Sequence, residues 1–169
     1  LAVLLGASPA AFAAALDYPP PGTNLWYRID GRNLLIGAIK KLPDGRLAYC
    51  MKAGADASNE YSGERKIEDN TNVRRIAWLA NRYQNNRDAN IHAAIGVLVH
   101  RHMELDPQSW ARHWAVISAQ YPGLDAIANR LWGEAGANMP LGLQVTSQTV
   151  EGLRSGWVDV VVKSDGKAL

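Results

Sequence analysis

The sequence predicts an α+β fold in which antiparallel β-strands flank a central helical subdomain of about four helices. Short alternating segments with turn signals fill the first part of the chain, helical periodicity begins near residue 71, and strand patterns return near residue 141. Because strands and helices occur in separate runs and do not alternate, the order argues against a wound parallel sheet.

Three short strands are predicted in the first part of the chain, at residues 25–30, 33–39 and 46–51. The turn signals Asp30-Gly31 and Pro43-Asp44-Gly45 separate them. The third strand carries Cys50 close to its end. The stretch 52–70 is polar and rich in Gly, Ser, Asn, Asp and Glu, which predicts a long loop.

Helical periodicity then predicts a block of helices. The first has an apolar face between Val73 and Tyr83, and the second, residues 88–103, is apolar on nearly every side, so it is expected at the buried centre of the domain. A third helix begins at Asp106-Pro107, an N-cap followed by proline at the first helical position. A fourth helix is predicted at 123–132, followed by strands at 141–150 and 156–166.

The first residues read LAVLLGASPAAFAAALDYPPPG, an apolar run followed by small residues at A-x-A spacing. This pattern is typical of the back half of a secretory signal peptide, and the run is too short to span a bilayer. We therefore expect residues 1–15 to be a signal peptide remnant and the protein to be secreted, at the cell wall or cell surface. A buried N-terminal helix is the alternative.

Composition excludes several classes of partner. The 18 Lys and Arg nearly balance the 16 Asp and Glu, and no block of like charge stands out, so we expect no nucleic acid partner and no membrane insertion of the mature domain. A single cysteine excludes an internal disulfide framework. Stability must come from core packing, which the six Trp and the abundant aliphatic residues can supply.

Few residues are arranged for chemistry. The chain lacks G-x-S-x-G, a Gly-rich phosphate loop and H-E-x-x-H. His100 and His102 would point to opposite sides of a helix, so no metal or cofactor is expected and the histidines are interpreted as surface and helix-end residues. The remaining enzymatic interpretation pairs Cys50 as nucleophile with His92 as base. A buried, inert cysteine is the alternative.

The cysteine segment and the two helices after it are similar to a known family. The triplet YCM around Cys50 is followed by a polar loop, the helix NVRRIAWLANRYQ and an Ala-rich helix ending in VLVH. Over residues 25–150 this order resembles the thioester domain of Gram-positive surface adhesins, especially those of actinobacteria. In that family the cysteine forms an internal thioester with a glutamine, a masked electrophile for covalent host attachment.

The resemblance also implies a domain organisation. Residues 17–152 would form the thioester-domain-like module, and residues 153–169 would be the junction to a following β-rich stalk repeat. The module would be a monomer within a longer surface-anchored chain. Its partner would be a host or cell-surface protein or another surface ligand.

This chain differs from the family in the part of the motif that contains the glutamine. In the family it reads Thr-Gln-x-Ala-Ile/Val-Trp, and the best counterpart is IHAAIG. Ala94 and Ile95 match, but His92 stands at the glutamine position and Gly96 at the tryptophan position. An imidazole cannot supply the acyl carbon of a thioester, so such a bond needs another glutamine.

Three other glutamines are candidate thioester partners: Gln144, Gln148 and Gln84. Gln144 is a candidate because a strand adjacent to that of Cys50 could hold its side chain beside the thiol.

The function expected is therefore a surface-displayed, thioester-domain-like adhesion module that is degenerate in its Cys–Gln bond and binds non-covalently. Tyr61, in the loop 52–70, is the expected contact residue because long loops on a scaffold often carry function. Two alternatives stay open: an enzyme with a Cys50–His92 pair that acts by acyl transfer, and an inert structural cap of a surface stalk.

Overall fold

The structure is a computed structural model that describes residues 14–15, 17–42, 45–55, 60–61, 70–139, 143–147, 160–164 and 167–168. The chain divides into two compact units, Leu1–Gly136 and Ala137–Leu169. Antiparallel sheets and four helices within these described ranges confirm the predicted α+β class.

A two-stranded pairing in the first unit was not expected from the sequence. Strand β1 (Ala14–Ala15) pairs antiparallel with β5 (Glu60–Tyr61), in segments interpreted as signal peptide and loop. A strand of two residues is too short to show alternation in the sequence, and its partner lies far along the chain. The other residues of the predicted loop, 56–59 and 62–69, lie outside the described residues.

The main sheet of the first unit contains the three predicted strands. They are β2 (Asn24–Ile29), β3 (Arg32–Lys41) and β4 (Leu47–Tyr49), in the order β2-β3-β4. Asp30 and Gly31 connect β2 to β3 with φ values of 50° and 75°. Two successive positive φ angles are what a type I′ hairpin turn requires, which explains the Asp-Gly pair. β4 ends at Tyr49, so Cys50 follows the strand directly.

The helical block is also present, as α1 (Thr71–Arg82), α2 (Ala89–Met103), α3 (Pro107–Gln120) and α4 (Leu124–Asn138). Side chains of Asn70, Asp88 and Asp106 cap the first three helices by accepting backbone N–H bonds. The predicted start of α3 at Pro107 is confirmed. α4 continues beyond residue 132.

Helix α2 forms the centre of the first unit, as its composition predicts. Every residue from 91 to 100 is buried. The helix lies against β3 at a backbone-to-backbone approach: a Cβ placed on Gly96 would stand 2.8 Å from the backbone nitrogen of Gly37. Glycine permits this contact, and a larger side chain at residue 96 would not fit without moving the strand.

The second unit contains its own antiparallel sheet. Its strands are β6 (Leu143–Ser147), β7 (Val160–Ser164) and β8 (Lys167–Ala168), in that order. β6 pairs antiparallel with β7, with Gln144 opposite Lys163, and the division into a module of residues 17–152 and a following junction stays a prediction. The helices in the described part of the chain lack the combination of length and hydropathy needed to cross a bilayer.

Candidate functional site

The segment that follows Cys50 is fixed to the helical block by hydrogen bonds. The Ala53 N–H donates to the Glu104 carboxylate at 3.1 Å, and the Ser109 hydroxyl donates to the Ala53 carbonyl at 3.1 Å. The Leu105 N–H donates to the Met51 carbonyl at 3.0 Å. Because these bonds come from residues around the α2–α3 junction, they fix the position of the loop 50–55 relative to both helices.

Cys50 itself is half-buried and makes local contacts. Its thiol donates to the Lys52 carbonyl at 3.0 Å, and the Lys52 N–H lies 3.5 Å from the sulfur. Both bonds involve backbone atoms two residues away. A rotation about the Cα–Cβ bond is therefore enough to free the thiol.

Glu104 links this loop to a histidine. Its side chain is only 4% exposed, and its two oxygens accept from the backbone N–H groups of Ala53 and Asp106 and from His100. The distance from His100 Nδ1 to Glu104 Oε2 is 2.5 Å. A carboxylate is a pure acceptor, so Nδ1 carries the hydrogen and Nε2 carries the lone pair.

The His100 ring is held in place by its surroundings. It stacks on Trp110 with 4.6 Å between ring centroids and 16° between planes. Burial lowers the pKa of His100, although the neighbouring Glu104 carboxylate acts in the opposite direction. The imidazole is consequently neutral near pH 7 and oriented by both Glu104 and Trp110.

A cavity of about 430 Å³ joins these groups. Its walls come from β2, β3, the loop 50–55 and α2, and they include Tyr18, Trp26, Tyr27, Lys40, Cys50 and His100. Two of its aromatic side chains reach solvent, since Tyr18 is 83% and Trp26 is 59% exposed. The volume lies in the range of small-ligand pockets.

His92, the base in the predicted Cys–His pair, contacts Tyr49. Its Nε2 lies 2.9 Å from the Asn86 carbonyl and its Nδ1 lies 2.7 Å from the Tyr49 hydroxyl. Because a carbonyl only accepts, Nε2 donates there, and Nδ1 accepts from tyrosine. Adjacent residues of an extended chain point to opposite sides, so Tyr49 reaches His92 while Cys50 faces the cavity. His92 could take a proton only at Nδ1, where the hydrogen bond with the Tyr49 hydroxyl would have to reverse its direction.

The other predicted site residues lie in different places. Gln84 follows α1, where its carbonyl accepts from Arg87, and within the described residues no hydrogen bond joins it to Cys50. Tyr61 pairs with Ala14 through the β5–β1 ladder. Gln144 lies on β6, and Gln148 lies outside the described residues. The roles assigned to them stay predictions.

The sequence pattern predicts surface and helix-end histidines; His100 and His102 do lie in the last turn of α2, but the surface interpretation is wrong for three of the four. His92, His100 and His113 are buried, each with a polar partner. For His113 the partner is Tyr27, whose hydroxyl lies 2.7 Å from Nδ1 and whose pKa burial raises to about 12. The overlooked signal was the spacing of His100 and Glu104, which lie four residues apart in HRHME and so on one face of the helix end.

No protein-family model, curated protein or solved structure matches this chain.

Proposed function

We propose that this chain is a secreted, surface-displayed, thioester-domain-like adhesion module that lacks the Cys–Gln bond and binds its ligand non-covalently. The observation that carries the proposal is the environment of His92, the residue at the family's glutamine position. Tyr49 and Asn86 hydrogen-bond both of its ring nitrogens. Both nitrogens of His92 are thus engaged away from Cys50, which supports a module without a thioester at this position.

The cavity beside Cys50 supports non-covalent binding. Trp26 lies on its wall and is 59% exposed, and Tyr18 is more exposed still. Tryptophan and tyrosine dominate the binding energy of many protein interfaces, because each buries a large rigid ring and keeps a polar group at its edge. The partner would be a host or cell-surface protein, or another surface ligand, that covers these rings.

The absence of the bond is tested by the intact mass of the purified chain before and after methylamine. We expect the mass calculated from the sequence, no change on treatment, and one titratable thiol at Cys50. A mass short by one ammonia that rises with methylamine would refute a non-covalent module and establish a thioester.

The binding surface is tested by Trp26→Ala against a matched control. Leu105→Ala also removes an exposed apolar side chain, since Leu105 is 69% exposed, but Leu105 does not line the cavity. Binding is measured on immobilised extracellular-matrix proteins and cell-wall fractions. Loss of a tryptophan anchor typically costs about 2 kcal/mol or more, so we expect roughly 30-fold weaker binding for Trp26→Ala and little change for Leu105→Ala. Equal binding by both variants would contradict the assignment of this surface.

A further inference from the structure

His100 and Cys50 line the same cavity. The side chain of His100 is 8% exposed, and Nδ1 is engaged by Glu104. Within the described residues Nε2 makes no hydrogen bond. The His100 side chain forms part of the cavity wall. A buried imidazole normally satisfies both nitrogens, as His92 does on the same helix. Among the described residues only Arg75 Nε is a fully buried side-chain polar atom without a partner, so Nε2 of His100 is open to the cavity and within reach of a group that enters it.

We propose that Cys50, His100 and Glu104 form a nucleophile, a general base and a positioning carboxylate that together transfer acyl groups from an ester or amide through a thioester on Cys50. This inference goes beyond the proposed binding function. It rests on three placements: a thiol and an imidazole on the walls of one cavity, and a carboxylate behind the imidazole. A base oriented by a third group is the arrangement that thiol nucleophiles need.

The reaction balances with these groups alone. His100 Nε2 takes the thiol proton while the Cys50 sulfur bonds to the carbonyl carbon of the donor. The bond from that carbon to the leaving oxygen or nitrogen breaks, and the imidazolium returns the proton to the leaving group, which departs as alcohol or amine. Water or an amine then attacks the thioester carbonyl and gives its proton to Nε2, the bond from the carbonyl carbon to the Cys50 sulfur breaks, and an acid or an amide leaves. The returning proton restores the Cys50 thiol.

The surroundings fit each role. The thiol is held by Lys52 backbone atoms, and rotation about one side-chain bond releases it into the cavity that His100 also lines. The Glu104 carboxylate holds the Nδ1 hydrogen and stabilises the imidazolium during transfer. Since Ala53 and Asp106 also donate to Glu104, its position is fixed by the same bonds that fix the loop after Cys50. The apolar part of the donor would lie against Leu34 and Trp26, which line the same cavity.

The test uses p-nitrophenyl acetate as the acyl donor and the full chain as the enzyme. We expect p-nitrophenolate release with acetylation of Cys50, located by peptide mapping, and no release from Cys50→Ala. His100→Asn should acylate about 10²-fold more slowly, because positioned base catalysis contributes on that scale. His102→Asn is the matched control: it lies on the same helix end, stacks on Trp132 and does not line the cavity. It should retain the wild-type rate.

Two further measurements keep the test decisive if His100→Asn does not fold. Glu104→Gln should lower kcat by a larger factor than it changes KM, because Glu104 positions the base and reaches the donor site only through the loop after Cys50. The acylation rate of wild-type Cys50 should also exceed that of the urea-unfolded chain. Equal rates for the folded and unfolded wild-type chains, or for His100→Asn and His102→Asn, would overturn the proposal. The methylamine mass experiment tests the binding module separately, so the two can fail independently.

Discussion

The close approach of α2 to β3 at Gly96 predicts that a larger residue there lowers the free energy of unfolding, by an amount that the contact distances indicate. In Gly96→Ala the new Cβ would lie 2.8 Å from the Gly37 backbone nitrogen and 3.1 Å from Ile36 Cδ1. The first contact is against backbone, so helix and strand must separate. Overpacking of this kind costs about 1–3 kcal/mol, whereas replacing glycine by alanine in a helix gains up to about 1 kcal/mol. We expect a net loss of roughly 1–2 kcal/mol in the free energy of unfolding.

A matched control separates the two contributions. Gly133 lies within α4 and is exposed, and a Cβ placed there meets nothing within 4 Å. Gly133→Ala should therefore show only the propensity gain, up to about 1 kcal/mol. The difference between the two variants isolates the contact with β3 and should be about 1–3 kcal/mol in urea denaturation followed by circular dichroism. If Gly96→Ala is as stable as Gly133→Ala, the close packing of helix on strand is not real.

Two other predictions concern the buried histidines. Tyr49→Phe removes the hydroxyl that donates to His92, leaves a buried acceptor unpaired, and should lower the free energy of unfolding by about 1–3 kcal/mol in urea denaturation; an unchanged midpoint would contradict the hydrogen bond. Burial lowers the pKa of His92 and of His100, so below about pH 6.5 the unfolded chain binds more protons than the folded chain. Stability should be fully present above that pH and fall as the pH drops toward the lowered values, and a urea midpoint that stays flat between about pH 7.5 and about pH 5 would refute this.

Two separate questions concern the Cys50 sulfur: whether it is bonded to a glutamine and whether it reacts as a free thiol. Whether it is bonded to a glutamine is answered by the intact mass before and after methylamine. Whether the free thiol reacts depends on His100, which lines its cavity. A cysteine without a disulfide partner would then serve as a nucleophile, with the carboxylate that positions its base also fixing the loop after it.

Sequence signals that span only a few residues were sufficient to predict much of the fold. The Asp30-Gly31 turn follows from the left-handed backbone that the hairpin needs, and the start of α3 follows from Asp106 and Pro107. The buried centre at α2 follows from a helix that is apolar on nearly every side. Each of these signals depends on neighbours in the sequence, so one sequence is enough to interpret it.

The candidate site depended on contacts between distant segments. The sequence by itself determined the α+β class, the helix starts and the position of Cys50 next to a polar segment. Only the tertiary structure decided that Tyr49 meets His92, that Glu104 binds the Ala53 amide, and that His100 shares a cavity with the thiol. The physical reason is that the partners lie 43 and 51 residues apart in the first two contacts and meet only when the helical block packs on the sheet, where α2 approaches β3 closely. Gly96 on α2 and Gly37 on β3 permit that approach, and no hydrophobic periodicity in the sequence indicates that they meet.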